Sequence, residues 1–575
     1  MNDAFKNNTT MTSIVIPSSV EGIGWNAFSG CTNLASVTFA DTSSNWWVTK
    51  EGASSSNVSS TLASNTPAQN AALLKTTHAA AYWTKHDTAP NTLAEIGVTV
   101  TSGQANHTTG TGTSNTIYFG EEDEEGMTVY SSPRRSIESV VIPYGVTTIA
   151  TGSFAALMQA DENEESGVSI DSDISSVYLP KSVATIGDYA FNGSTSLTSL
   201  TIPNSVISIG DYAFIMCTEL ATVSLSSSVT SIGDAAFAEC FSLSGVLTLT
   251  GVISIGASSF CDTSITGVLF GNSLTTIGDE AFCGCESLEG PLTFPNSLTT
   301  IGGGAFYSCT SLTGTLTIPA NPLLTTLPDE TFKNCAFTSV VIGNNITSIG
   351  NNCFCACEDI ESLTLGSNIT NIGDWAFYGC SSIAGQLVLP SSITSIGELA
   401  FNNCSSITGQ LVLPSGLIEI GEYAFANCSG LSGTLNIPNS VTNLGESAFA
   451  GCASITGLSI GSGLTSISLA AFYGTGITTV VVPDTVTEIA GSAFYYCRAL
   501  TSVTIGTGVQ SIGNYAFREC SLLVNLTINR ATPPTLGSGA FELVSANFKI
   551  YVPSGSVTAY QSAWSDYSSK IEPIA

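Results

Sequence analysis

The stretch that decides the fold is Ser196-Leu197-Thr198-Ser199-Leu200-Thr201-Ile202-Pro203-Asn204-Ser205-Val206-Ile207-Ser208-Ile209-Gly210-Asp211-Tyr212-Ala213-Phe214. Variants of it fill most of the 575-residue chain, and its closing Phe recurs in steps of 22 to 26 residues outside the intervals between Phe28 and Phe191. Repetition at this period predicts a solenoid of stacked units rather than several globular domains. The recurring residues are Phe5, Phe28, Phe154, Phe191, Phe214, Phe237, Phe260, Phe282, Phe306, Phe332, Phe354, Phe377, Phe401, Phe425, Phe449, Phe472, Phe494, Phe517 and Phe541.

Within one unit, the apolar spacing predicts a short strand followed by a turn. Leu200 and Ile202 alternate with polar residues, which is typical of a strand with one buried face. Pro203 ends the strand because it has no N–H to donate to a ladder. We expect Asp211 to cap a short helical turn that carries Phe214. A lone unit buries too little apolar surface to fold, so neighbouring units must stack, with their strands in parallel.

Some strands are preceded by an extra glycine, and these units tend to be 24 residues long. The extra residue predicts a bulge or a wider turn at that point. The glycines are Gly245, Gly290, Gly314, Gly385, Gly409 and Gly433.

The period divides the chain into four parts. Residues 1–40 hold two repeats, residues 41–133 form an insertion, residues 134–529 form the main solenoid, and residues 530–575 form a C-terminal capping module. In the insertion, Pro67 followed by an Ala/Leu-rich run predicts one short helix, and residues 81–83 and 116–119 predict strands. The first residues enter in the middle of a repeat, so we expect any natural export signal or anchor to lie outside this chain.

The unit, written Leu-x-x-Leu-x-Ile-Pro followed by Val-x-x-Ile-Gly-Asp-x-Ala-Phe-x-x-Cys, resembles the treponemal-type leucine-rich repeats of BspA-like surface antigens. The resemblance covers roughly residues 1–40 and 137–529. It implies an array of about 19 units of 22–26 residues with one parallel, concave β-sheet. The convex side would carry short helical turns or extended segments, and a cap would close the C-terminal end. It also implies a secreted or cell-surface adhesin that binds extracellular matrix proteins, host cells or other bacteria.

The charge argues against two classes of partner. The formal net charge is −31, and between residues 182 and 497 the only basic residue is Lys333, against 22 acidic ones. Such a surface repels phosphate backbones and anionic lipids, so neither nucleic acid nor a membrane surface is an expected partner. No apolar run approaches the roughly 18 residues of a membrane span, and high charge favours a soluble monomer.

The 17 cysteines follow the repeat, because 13 of them lie three residues after the recurring Phe. Ser194, Thr263 and Thr475 replace Cys at this position, so the position requires a small side chain. We favour buried free thiols, and disulfides between stacked neighbours are the alternative. The group Cys353-x-Cys355-x-Cys357 lacks the paired spacing and the nearby His of a zinc site.

No catalytic, cofactor or metal site is predicted. His78, His86 and His107 all lie in the insertion at spacings that match no metal motif, and no nucleophile elbow or phosphate-binding loop is present. The acidic runs 121–125 and 161–173 lack the spacing of a calcium loop, so we interpret them as solvated loops. The acid after Ile-Gly recurs along the array, whereas catalysis requires one special site.

Two candidate binding regions remain, and a passive spacer without a specific ligand is the third hypothesis. The first region, expected to bind protein, is the outward face of the concave sheet, where small and mostly hydroxylated side chains form a flat surface. It consists of Ser199, Thr201, Thr222, Ser224, Thr248, Thr293, Thr317, Thr364, Val388, Val412 and Asn436. The second is an aromatic group in the insertion that could stack on a glycan. It consists of Trp46, Trp47, Tyr82 and Trp83.

Overall fold

The computed structural model contains two compact units, unit 1 (Met1–Leu243) and unit 2 (Ser244–Ala575). The residues that it describes are 5–17, 20, 22–23, 27–40, 46–50, 56–57, 59–77, 81–85, 98–101, 104–107, 116–117, 121–122, 128–129, 139–142, 147–155, 158–159, 168–169 and 174–574.

Most described repeats contribute two parallel strands, which we call the first strand and the second strand. In three repeats, isolated bridges take the place of the first strand, within residues 290–294, 385–389 and 409–413. Ser199–Thr201 is a first strand, and it pairs in register with Thr222–Ser224 of the following repeat. Ser208–Ile209 is a second strand, and it pairs with Ser231–Ile232. The chain is therefore the predicted parallel solenoid of about 19 turns, with a second line of strands besides the one that was predicted.

The first strands carry the outward face that was expected to be concave, together with the equivalent segments 290–294, 385–389 and 409–413. We call the outward residues of these strands and segments the first-strand face. In unit 1 the first strands are Ser13–Ile16, Ser36–Phe39, Ser139–Val141, Ser176–Tyr178, Ser199–Thr201 and Thr222–Ser224. In unit 2 they are Ser244–Leu249, Ser264–Phe270, Thr315–Thr317, Ser339–Val341, Ser362–Thr364, Gly433–Asn436, Ile455–Ser459, Thr479–Val482, Ser502–Ile505, Asn525–Ile528, Lys549–Val552 and Ile571–Pro573.

The second strands have two residues each, and in most of them the Ile or Leu is buried while the residue before it is not. In unit 1 they include Thr116–Ile117, Thr148–Ile149, Thr185–Ile186, Ser208–Ile209 and Ser231–Ile232. In unit 2 they are Ser254–Ile255, Thr276–Ile277, Thr300–Ile301, Thr326–Leu327, Ser348–Ile349, Asn371–Ile372, Ser395–Ile396, Glu419–Ile420, Asn443–Leu444, Ser466–Ile467, Glu488–Ile489, Ser511–Ile512 and Thr535–Leu536.

The extra glycines adopt the conformation that only glycine reaches without strain. Gly245 has φ +82° and Gly385 has φ +80°, and the other four lie between +77° and +78°. The strand register shifts between Gly245 and Val246 and again between Gly433 and Thr434. The predicted bulge is therefore confirmed in these repeats.

After the second strand, the chain forms a segment of successive turns, which we call the turn segment. Tyr212 and Met216 in this segment have φ values of 56° and 59°, and equivalent residues along the array share this left-handed conformation. The Oδ1 of Asp188 accepts the backbone N–H of Asp211 in the next repeat at 2.9 Å, and Asp211 accepts that of Asp234 at 2.8 Å. The prediction that Asp211 caps its own turn is therefore wrong, because this bond joins successive repeats.

The core of both units is a column of stacked phenylalanines. In unit 1 the Phe191 and Phe214 rings are parallel, with centroids 5.2 Å apart. In unit 2 the same contact recurs from Phe260 to Phe541 with centroid distances between 5.2 and 6.0 Å. The buried Leu and Ile residues of both strands pack around this column, so each repeat completes the core of its neighbours.

The cysteine of the repeat is a buried free thiol rather than half of a disulfide. Its Sγ donates to the carbonyl oxygen of the Phe in the preceding repeat, for example from Cys380 to Phe354 at 3.1 Å and from Cys404 to Phe377 at 3.2 Å. Burial raises the pKa of Cys404 to about 12, so the group stays a thiol near neutral pH. The favoured interpretation of the ordered cysteines agrees with this structure.

A small α/β element packs against the first two repeats. Four strands run in the order Gly22–Ile23, Ala81–Lys85, Trp46–Lys50 and Ser56–Asn57, and all pairs are antiparallel. The helices Ser59–Ser64 and Pro67–Ala72 follow in sequence, and a π-helical turn, Leu73–Thr77, extends the second. Thr66 and Gln69 form a capping box at the start of the second helix. The predicted helix at Pro67 and the strand at 81–83 are therefore present.

Three further antiparallel strand pairs are short. They are Val98–Thr101 with Gln104–His107, Glu121–Glu122 with Thr128–Val129, and Met158–Gln159 with Val168–Ser169.

The C-terminal module extends the first-strand sheet and covers the end of the phenylalanine column. Lys549–Val552 pairs in parallel with Asn525–Ile528 and then with Ile571–Pro573. Between them lie the 3₁₀ turns Ser554–Ser556 and Ser565–Lys570 and the helix Val557–Ala563. The Trp564 and Tyr567 rings contact Phe541, with centroids 6.1 and 5.6 Å away. These rings supply the packing that a further repeat would otherwise provide.

Candidate functional site: the first-strand face

All eleven residues predicted to point outward from the first strands are exposed. Four of them lie in unit 1 and seven lie in unit 2. The buried Leu200 between Ser199 and Thr201 shows how the pleat produces this arrangement. The exposure predicted for these eleven side chains is therefore confirmed.

The structure adds exposed aliphatic residues that the sequence analysis missed. Val388 and Val412, which were predicted, are 73% and 60% exposed. Val246, Leu269 and Val481 occupy outward positions of the same face and are 61%, 55% and 63% exposed. Outward residues alternate with the buried apolar residue at the end of each first strand, so counting back from that residue would have identified them. Counting forward from the start of the repeat fails where an extra glycine is inserted. The face in unit 2 is thus more apolar than predicted.

A cleft of about 700 Å³ opens on this face of unit 2. It lies between residues 266–269 of one repeat and residues 288–292 of the next, with Val246 and residues 311–313 on its flanks. Among the described residues, no strand pairing joins Ser264–Phe270 to the repeat that follows it. The N–H of Glu289 donates to the Thr266 carbonyl at 3.2 Å. Pro291 has no N–H to donate after it, so the ladder does not continue.

In two later repeats, a glutamine side chain at this position donates a hydrogen bond to the neighbouring repeat. Gln386 occupies the position equivalent to Pro291, and its Nε2 donates to the Gln410 carbonyl at 2.9 Å. Gln410 donates in the same way to the Thr434 carbonyl at 2.7 Å. Pro291 offers no such donor, and Gly267 and Gly290 add no side chain, so the cleft remains open. The exposed Glu289 places a carboxylate at its rim.

Trp46, one of the four aromatic residues predicted to form a surface platform in the insertion, is buried. Trp46 is only 1% exposed and packs edge-on against Phe39, with ring centroids 5.3 Å apart. Its ring belongs to the core that joins the α/β element to the first repeats, so it cannot stack on a sugar. The side chains of Trp47, Tyr82 and Trp83 lie outside the described residues.

The remaining sequence candidates yield no ligand set among the described residues. There, no three His, Cys, Asp or Glu side chains lie close enough together to hold a metal ion. Cys353, Cys355 and Cys357 are buried free thiols. His78, His86 and most of the two acidic runs lie outside the described residues. No helix in the described part of the chain combines the length and the apolar character needed to cross a membrane.

Comparison with known proteins identifies a repeat family. The model of the BspA type leucine rich repeat region matches residues 1–49, 169–289, 290–408, 383–501 and 487–574. A leucine-rich repeat protein from Bacteroides ovatus ATCC 8483 is 25% identical, with a TM-score of 0.43, over 68% of this chain and 88% of that chain. A leucine rich cell surface protein from Faecalibacterium prausnitzii A2-165 is 22% identical, with a TM-score of 0.27, over 68% of this chain and 88% of that chain. The T. pallidum leucine rich repeat protein is 29% identical, with a TM-score of 0.24, over 32% and 77%. No curated protein matches the chain significantly.

Proposed function

The chain belongs to the BspA type leucine rich repeat family, and we propose that it is a non-catalytic, adhesin-like protein that binds host or bacterial proteins through its first-strand face. It acts outside the cell, either secreted or displayed on the surface, and as a monomer. Extracellular matrix and cell-surface proteins are the expected ligands. The net charge of −31 disfavours nucleic acid as an alternative.

The observation that carries this proposal is the uniform exposure of the eleven outward residues along both units. Short side chains such as Thr317 and Thr364 lose little rotamer entropy when a partner covers them. The exposed valines, Val388 and Val412, add apolar area in adjacent repeats. A flat face of this kind suits many weak contacts whose effects add over its length.

The test compares two variants that alter exposed aliphatic residues on different faces. V388R/V412R places two long cations on the first-strand face, where both side chains are more than half exposed. I418R is the matched control, because Ile418 is 51% exposed in the Val412 repeat and lies beside a second strand. The intact chain and both variants are titrated against an array of extracellular matrix proteins by surface plasmon resonance, with circular dichroism to establish folding.

We expect saturable binding by the intact chain and by I418R, and at least a tenfold loss for V388R/V412R, which corresponds to about 1.4 kcal/mol. Equal binding by V388R/V412R and I418R would show that the ligand does not contact the face around Val388 and Val412. An intact chain that binds nothing saturably would support the passive-spacer hypothesis. Glycans are included on the array, and binding to them alone would favour the insertion.

A further inference from the structure

Two cysteines differ from all the others in this chain. Of the 17 cysteines, 15 are buried, whereas Cys261 and Cys283 are partly exposed. They do not occupy the buried repeat position three residues after the Phe. Each instead follows a column phenylalanine directly, Cys261 after Phe260 and Cys283 after Phe282. Their thiols therefore lie at the surface of the turn segment, where a small solute can reach them.

The backbone holds these two cysteines at the same position of successive repeats. The N–H of Phe260 donates to the Ala281 carbonyl at 2.8 Å, and the N–H of Asp262 donates to the Cys283 carbonyl at 2.8 Å. The preceding rings, Phe260 and Phe282, are stacked with centroids 5.4 Å apart. A spacing of about 5 Å between equivalent residues falls within the range of roughly 4.4–6.8 Å that Cα atoms of a disulfide occupy.

The electrostatics distinguish the two sulfurs. The neighbouring Cys283 thiol raises the pKa of Cys261, and the neighbouring Cys261 thiol lowers the pKa of Cys283. Burial and the carboxylates of Glu280 and Asp262 act in the opposite direction on the pKa of Cys283, but the effect of the Cys261 thiol is larger. Cys261 Sγ donates to Asp262 Oδ2 at 3.5 Å. Cys283 is thus the better nucleophile of the pair.

We propose that Cys261 and Cys283 form a reversible redox site, which a low-molecular-weight disulfide oxidises to an intramolecular disulfide between two neighbouring repeats. The Cys283 thiolate attacks one sulfur of the small disulfide, so a mixed disulfide forms and one thiolate leaves. Cys261 then loses its proton to that thiolate and attacks the Cys283 sulfur, which expels the second thiolate. The second thiolate takes up from solvent the proton that Cys283 released on ionising. In total the protein loses two protons and two electrons, and the small disulfide becomes two thiols.

The position of the pair gives the cross-link a structural consequence. Cys261 precedes the first strand Ser264–Phe270, and Cys283 precedes residues 288–292. These are the two segments that flank the cleft on the first-strand face. The disulfide therefore ties together the two repeats between which the ladder is interrupted. This inference concerns the thiols alone and does not depend on the proposed binding function.

The test uses the reduced full-length chain, incubated with oxidised glutathione and sampled over time. Acid stops the exchange, and peptic digestion at low pH followed by mass spectrometry identifies each modified cysteine. The wild type is compared with C261S, C283S and C355S. Cys355 is the matched control, because it also follows a column phenylalanine, but Lys333 and Tyr378 occupy the equivalent positions beside it.

We expect the wild type and C355S to lose two thiols first, through a peptide that links Cys261 to Cys283, without lasting glutathione adducts. C261S should retain a glutathione adduct on Cys283, and C283S should form one on Cys261 several-fold more slowly. Stable adducts on both cysteines of the wild type, without a cross-link, would overturn the proposal. So would oxidation of this pair at the same rate as that of the buried cysteines.

Discussion

Removing one ring from the phenylalanine column should strongly destabilise the array around it. Phe377 is fully buried, and its ring centroid lies 5.3 Å from that of Phe354 and 5.2 Å from that of Phe401. A buried Phe→Ala change costs about 3–5 kcal/mol in total, and the loss of two stacked aromatic contacts places F377A in the upper part of that range. The N–H of Phe377 also donates to the Ala400 carbonyl at 2.8 Å, so the backbone cannot collapse into the cavity. We therefore expect F377A to lose about 4–5 kcal/mol.

Trp375 provides a local probe for this experiment, because it lies two residues before Phe377 and contacts Tyr378 at 4.7 Å between ring centroids. Urea unfolding is followed by tryptophan fluorescence and by circular dichroism, since a repeat array need not unfold in a single step. V388A is the control, because Val388 is 73% exposed and its truncation should change stability by less than ~0.5 kcal/mol. A loss below ~1 kcal/mol for F377A would refute the view that the column is the core.

Three further predictions follow from single contacts. Asp374 Oδ1 accepts the N–H of Glu398 at 2.7 Å, so in urea unfolding D374A should lose about 0.5–1.5 kcal/mol, while D374N, which keeps the acceptor, should lose less. Burial raises the pKa of Cys428 well above its usual range, so iodoacetamide should alkylate it in denatured but not in native protein, as measured by mass spectrometry. The Arg498 guanidinium holds the pKa of Glu519 below its usual range, so the pair stabilises the fold above the ordinary Glu pKa and loses this effect as the pH falls through the lowered value; R498Q should return the Glu519 pKa towards normal in an NMR titration.

The side chains that follow Ile-Gly in each repeat show where local sequence patterns are ambiguous. An acid after Ile-Gly is equally compatible with a cap on its own turn and with a bond to the next repeat. In the structure this side chain bonds to the next repeat. Asn can replace Asp in this role, since Asn351 Oδ1 accepts the N–H of Asp374 at 2.8 Å. The sequence could not decide this, because the donor lies 23 residues away and only the stacking of the repeats brings it within reach.

The insertion shows a second limit. Its helix and one of its strands could be predicted from Pro67 and from the aromatic residues at 81–83, because such signals are local. The burial of Trp46 could not be predicted, since a tryptophan pair in a polar segment has the same sequence whether it faces solvent or packs against a neighbouring core. Phe39 and the first repeats supply that core, and only the folded chain places them beside Trp46.

The sequence alone determined the solenoid, the repeat length and the exposure of the eleven outward residues that it predicted. It could do so because one unit is repeated, and alternation along a strand fixes which side chains point inward. Tertiary structure alone decided the stacking of the phenylalanine rings, the cleft beside Pro291, the direction of the Asp188 bond and the equivalent positions of Cys261 and Cys283 in neighbouring repeats. Each of these depends on the distance between residues in different repeats, and that distance exists only once the repeats have stacked.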